Sequence, residues 1–150
     1  MKSLFEESTR AEILGRIDSV TPQAVKQWGK MNVTQMFCHC SRALEMAMGL
    51  INPKRVFIGR ILGPLFKGKY SDESAFGKSS PTSDELITLA VNSDFVVEKD
   101  RLKDLVTRFS INGEPGVTKQ PHPFFGTLTP AEWGKGMYKH VDHHLKQFNA

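Results

Sequence analysis

The chain has 150 residues, 39% of them hydrophobic and 24% charged, with a formal net charge of +4 and a calculated pI of about 9.1. That length suits a single domain, residues 1–150, around one hydrophobic core. No apolar run approaches the roughly 18 residues of a membrane span, Glu6 and Glu7 interrupt the N-terminus before a signal sequence forms, and the scattered Lys and Arg form no basic block or aromatic-interleaved RNA motif. The expectation is a cytoplasmic protein that partners neither nucleic acid nor membrane.

Thr9 with Glu12 fits a capping box ahead of Ile13, Leu14 and Ile17 on one face, which predicts a helix over 9–18. Thr21-Pro22 predicts a short helical piece running toward Trp28. Asn32 with Gln35 predicts a cap for a helix over 33–48 that ends at Gly49, with Met36, His39, Ala43, Met46 and Ala47 on its inner face. Cys38 and Cys40, two apart on that helix, point to nearly opposite sides and cannot bond to each other. They read as small residues packed near a core.

Residues 54–66, KRVFIGRILGPLF, are apolar with basic edges and predict a short helix ending near Gly63-Pro64. A membrane-surface or partner-binding patch is one reading. Two glycines and a proline make a poor interfacial helix, so packing across the bundle or in a subunit interface is the expectation. Over 84–92, Ile87, Leu89 and Val91 alternate as in an extended segment, with continuation into a helix the other option. Phe95, Leu102, Leu105, Val106 and Phe109 then form a helical stripe, with Glu98, Lys99, Asp100, Lys103 and Asp104 on the other sides. The segment SINGEPGVTKQPHPFFGTL reads as a packed loop that covers a site. Thr129-Pro130-Ala131-Glu132 combines an N-cap, proline at N1 and a capping-box glutamate, and opens a last helix running to Gln147. Four substantial helices and no convincing sheet predict an all-α fold, a four-helix bundle with long loops and one or two short extra helices.

The last helix carries the chemistry. Trp133, Met137, His140, His144 and Phe148 fall on one stripe. His140 and His144 therefore point inward, His143 sits toward the edge, and Asp142 points away into solvent. His39 lies on the apolar face of the second helix. Inward histidines are costly to bury unless hydrogen-bonded or ligated. A lone His39 could be a satisfied core residue, but the i,i+4 pair on the buried stripe favours a metal. Three imidazoles suit Zn, Ni or Fe and leave a position for water or substrate, whose proton the ion would acidify. His122, between Pro121 and Pro123, could reach over the metal as a fourth ligand or as an acid or base, or could simply pack the loop. Trp133 reads as core, and Tyr138 could line a cavity.

The inward histidine on the second helix, the H-x-x-H-H of the last one, Trp28-Gly29-Lys30-Met31, and HPFFGTLTPAEWGKGMYKHVDHHLKQF together resemble the DinB/YfiT-like superfamily. The stretch is similar in particular to an uncharacterised DinB-like branch, a domain of unknown function. The resemblance implies a four-helix bundle with a metal held by one histidine of the second helix and two of the last, here His39, His140 and His144. It also implies a homodimer, and an S-transferase or hydrolase reaction in which a low-molecular-weight thiol, or water, attacks a small electrophile. The alternatives are a non-catalytic metal- or small-ligand-binding bundle, and a metal-free interaction module working through 54–66.

Overall fold

The computed structural model describes residues 1–78 and 86–150. Among these residues there are five α-helices in order: α1 Glu7–Ser19, α2 Val33–Ala47, α3 Phe57–Ser71, α4 Phe95–Asn112 and α5 Pro130–Gln147, with a 3-10 turn at Glu114–Gly116 between the last two. The all-α expectation holds among the described residues, but with five full helices where four substantial ones were expected. The only strand-like feature there is an isolated antiparallel bridge between His122 and Gly126. No helix is long and apolar enough to cross a membrane among these residues.

Two starts follow the reading of the sequence closely. Asn32 and Gln35 exchange reciprocal hydrogen bonds of 2.9 Å at the head of α2, and Thr129 with Glu132 does the same for α5, with Pro130 in the first turn. Asp94 caps α4 by accepting from the N–H groups of Val96 and Val97. The Thr9 cap is not formed. Helix α1 begins at Glu7, and Thr9 lies inside it, buried, donating back to Glu6. The piece after Thr21-Pro22 is a turn and not a helix. Its shape is set from outside, since Gln27 N–H donates to the Gln147 carbonyl at 2.8 Å.

The core gathers Ile13 and Ile17 of α1, Phe37 and Leu44 of α2, Leu102, Val106 and Phe109 of α4, and Trp133, Met137 and Leu145 of α5. Each large apolar side chain buried there contributes on the order of 1.5–3 kcal/mol. Two charged positions expected in solvent are enclosed instead. Glu98 is buried beside Arg101, which also binds Glu45 at 2.7 Å. Asp142 pairs with Arg16 and Lys146, both at 2.8 Å. Arg16 reaches Asp142 from another helix, and Arg101, one turn from Glu98 on α4, is itself anchored across to Glu45 of α2; neither cross-helix contact shows in a helical pattern.

The larger correction concerns 54–66. Helix α3 does not stop at Gly63-Pro64 but runs through Pro64 to Ser71. Only Gly59, Gly63 and Tyr70 of α3 are buried. The two glycines lie against the backbone of the Pro123–Phe125 loop, so closely that a Cβ on Gly63 would come within 2.0 Å of the Phe124 carbonyl oxygen. Tyr70 presses on Gly136 of α5 and edges onto Trp133. Packing thus holds a helix that local propensity would end at the proline. Past α3, residues 84 and 85 lie outside the described residues, and 87–92 form no strand. They strap over α2: Thr88 donates to the Gln35 carbonyl at 2.8 Å, and the Gln35 amide donates to the Leu89 carbonyl at 2.7 Å.

Two glycines of α3 should respond with opposite signs. Gly63→Ala should destabilise by about 1–3 kcal/mol, because the loop must move. Gly68→Ala, where a Cβ meets nothing within 4 Å, should stabilise by about 0.5–1 kcal/mol. Urea denaturation measures both, and equal responses would contradict the packing described.

Candidate metal centre

Helix α2 presents His39, and α5 presents His140 and His144 one turn apart, across the packed α2–α5 contact. The three ring centroids lie 4.7 to 5.0 Å apart. One nitrogen of each can be chosen so that all three lie within 4.8 Å of one another. His39 is buried, while His140 and His144 keep partial exposure. The trio therefore lies near the surface and not at the centre of the core.

The outward nitrogens are already engaged. His39 Nδ1 lies 2.8 Å from the Leu86 carbonyl, which can only accept, so the proton is on Nδ1. His144 Nδ1 lies 2.9 Å from Gln147 Oε1. The Gln147 amide is oriented in turn by its Nε2, which donates to the Trp28 carbonyl at 2.7 Å. In both rings the lone pair is left on Nε2, and acceptors of this kind fix the tautomer of a ligating histidine. His140 Nε2 is buried and has no hydrogen-bond partner. A buried imidazole nitrogen without a partner is uncommon in a folded protein. A cation among the three nitrogens would satisfy it.

Burial pushes all three imidazoles below their ordinary value of 6.5: His39 downward, His140 well downward, with the neighbouring histidines adding to the effect, and His144 to about 3. They are neutral near pH 7, the form that binds metal.

The other two histidines stand outside the trio. His143 is half-buried, tilted against Trp28 at 5.5 Å and edge-on to Phe76 at 6.0 Å. It lines a cleft of about 310 Å³ with Phe76, Tyr138 and Lys139, which places Tyr138 in a cavity wall as expected. His122 is enclosed by Tyr70, Phe125 and Trp133. Its Nδ1 accepts from the N–H groups of Phe124 and Phe125, and burial holds it at about 3. Trp133 is core.

Some contributors have no signature in the sequence. Lys139 is buried on α5, donating to the Lys69 carbonyl and to Asp72 at 2.8 Å, with its ammonium over Phe76 at 4.6 Å. Its hydrogen bond holds the Asp72 carboxyl at about 2. Phe76 faces His140 at 6.5 Å, so Lys139 ties the end of α3 and the following loop beside the histidines. The spacing of Gln147 three residues after His144 is the one signal that could have exposed a support residue.

Among the described residues the protein is all-helical, with three clustered histidines that could hold a metal ion. Over residues 4–150 the chain matches the model of a family described as "Protein of unknown function (DUF1569)", and it belongs to that family. No curated protein and no solved structure matches it.

Histidines held below their ordinary value make the unfolded chain the stronger proton binder from about pH 6.5 down to about 3, so stability falls as pH drops through that window. His122 and His144, both near 3, should each contribute about 1.4 kcal/mol of loss per pH unit there. Metal-free protein should show a urea midpoint that declines steadily from pH 6.5 to pH 4. A flat midpoint would contradict the burial of neutral rings.

Proposed function

We propose that the protein is a divalent-metal protein in which His39, His140 and His144 hold the ion, and that it is a DinB-like enzyme of the S-transferase or hydrolase class. The observation that carries the metal reading is the partnerless Nε2 of His140, set between two rings whose outer nitrogens are tied to acceptors. The donor set fits Zn, Ni or Fe, and three protein ligands leave room for a small molecule. An ion held there would supply Lewis acidity, bringing the pKa of a water or thiol toward neutrality.

The chain's own residues divide the remaining work. Leu86 and Gln147 hold the ring orientations, and Trp28 and Phe76 wall the approach with aromatic surface. Tyr70 Oη and Trp133 Nε1 are buried without partners beside His122, and they are donors a polar ligand could satisfy. An acid–base part for His122 would run through Nε2, because Nδ1 is engaged by the loop. The substrate class is a small electrophile, with a low-molecular-weight thiol or water as nucleophile, and the homodimer belongs to the same reading.

His140→Leu gives a test in which the two readings differ in sign. It removes a partnerless polar atom, so the metal-free variant should be as stable as the parent or more so, while the rise in melting temperature that zinc gives the parent should vanish. A zinc-induced rise that persists in the variant would sink the metal reading. Gln147→Leu should keep the fold and weaken zinc binding by roughly 10- to 100-fold in calorimetry, by freeing the His144 ring. Metal-dependent consumption of a thiol with an electrophilic partner, lost in His140→Leu, would support the enzyme. A metal-replete protein inert toward thiol and hydrolytic substrates would favour the binding protein.

A further inference from the structure

We propose that α3 docks the protein onto an anionic lipid surface. The inner side of this helix is spent on Gly59, Gly63 and Tyr70. Opposite them, Phe57, Ile58, Ile61 and Leu65 fall within about 100° of one another on a 3.6-residue helix. They are 77%, 57%, 60% and 77% exposed. Four large apolar side chains on one convex ridge exceed the scattered exposure ordinary for a surface.

The charge that this segment itself brings has one sign. From Ile51 to Ser71 there is no Asp or Glu, and there are five basic residues. Arg60 and Lys67 flank the apolar face on one side, and Lys69 flanks it on the other. Arg60 and Lys69 are exposed, and Lys67 reaches Glu132 at 3.2 Å. Long cationic side chains on both flanks of an apolar stripe can lie along the stripe's edge and set their charges at headgroup level.

The occupant follows from these two properties. A second copy packed through the same face would bring two cationic rims together with no acidic residue from this segment to pair them. A lipid surface offers acyl chains to the ridge and anionic headgroups to the rim. The sequence objection, that glycines and a proline spoil an interfacial helix, does not apply to this face. Both glycines point into the protein, and the helix continues past Pro64.

Full-length untagged protein, sedimented with vesicles of phosphatidylcholine with and without phosphatidylglycerol, tests this. Binding should require phosphatidylglycerol, weaken as salt rises, and fall by roughly tenfold or more in Ile61→Glu/Leu65→Glu. Both sites are exposed, so the double variant should keep the parent's circular dichroism and metal content. Three results would each overturn the proposal: no binding to anionic vesicles, equal binding by the double variant, or a dimer in light scattering that the double variant splits while neither form binds vesicles.

Discussion

Three neutral imidazoles share one end of the α2–α5 contact, and much of the surrounding architecture serves to hold them there. Neutral rings are dipoles that need partners, and two of the three obtain one on the outer side. The His39 partner is the Leu86 carbonyl, brought by the strap whose Thr88 and Leu89 bind Gln35. The His144 partner is Gln147, held by the Trp28 carbonyl. The turn at Trp28-Gly29 approaches so closely that a Cβ on Gly29, already at φ +79°, would meet the Gln147 amide at 2.6 Å. Two irregular segments thus owe their paths to hydrogen bonds that end on histidines. The remaining nitrogen, on His140, has no such partner. That asymmetry is the ground on which a metal is proposed there.

The same helix that offers His140 and His144 organises its other flank through packing. Gly136 of α5 admits Tyr70, and Lys139 grips the Lys69 carbonyl and Asp72, so α3 and the loop carrying Phe76 are fixed beside the centre. Helix α3 can approach only through its glycines, and a helix that spends its inner face on glycine has its large apolar residues left outside. The exposed ridge is therefore a geometric consequence of how α3 is seated.

What the sequence made legible was local or periodic. The capping boxes at Asn32 and Thr129 need residues three apart, and both formed. Helical phase brought out His140, His144 and His39, because a four-residue spacing on an apolar stripe determines direction. What it could not show depended on partners far along the chain. Pro64 and Gly63 read as a helix end until the Phe124 backbone is seen lying on Gly63. Asp142 reads as solvated, being charged, until Arg16 is placed beside it, and Glu98 does so until α4 packs on α2, where its neighbour Arg101 reaches Glu45. Lys139 gave no signal, since its partners are a carbonyl and a carboxylate about seventy residues away. The alternation over 87–91 resembled a strand and came instead from a strap buried at Thr88.

The central claim is that His39, His140 and His144 hold one metal ion together. Elemental analysis of protein purified without a histidine tag or a nickel column addresses it directly. The account predicts one zinc, nickel or iron ion per chain, lost in each of the single alanine variants of the three histidines and kept in His143→Ala. A chain without stoichiometric metal, or one whose metal survives removal of any of the three, would contradict it.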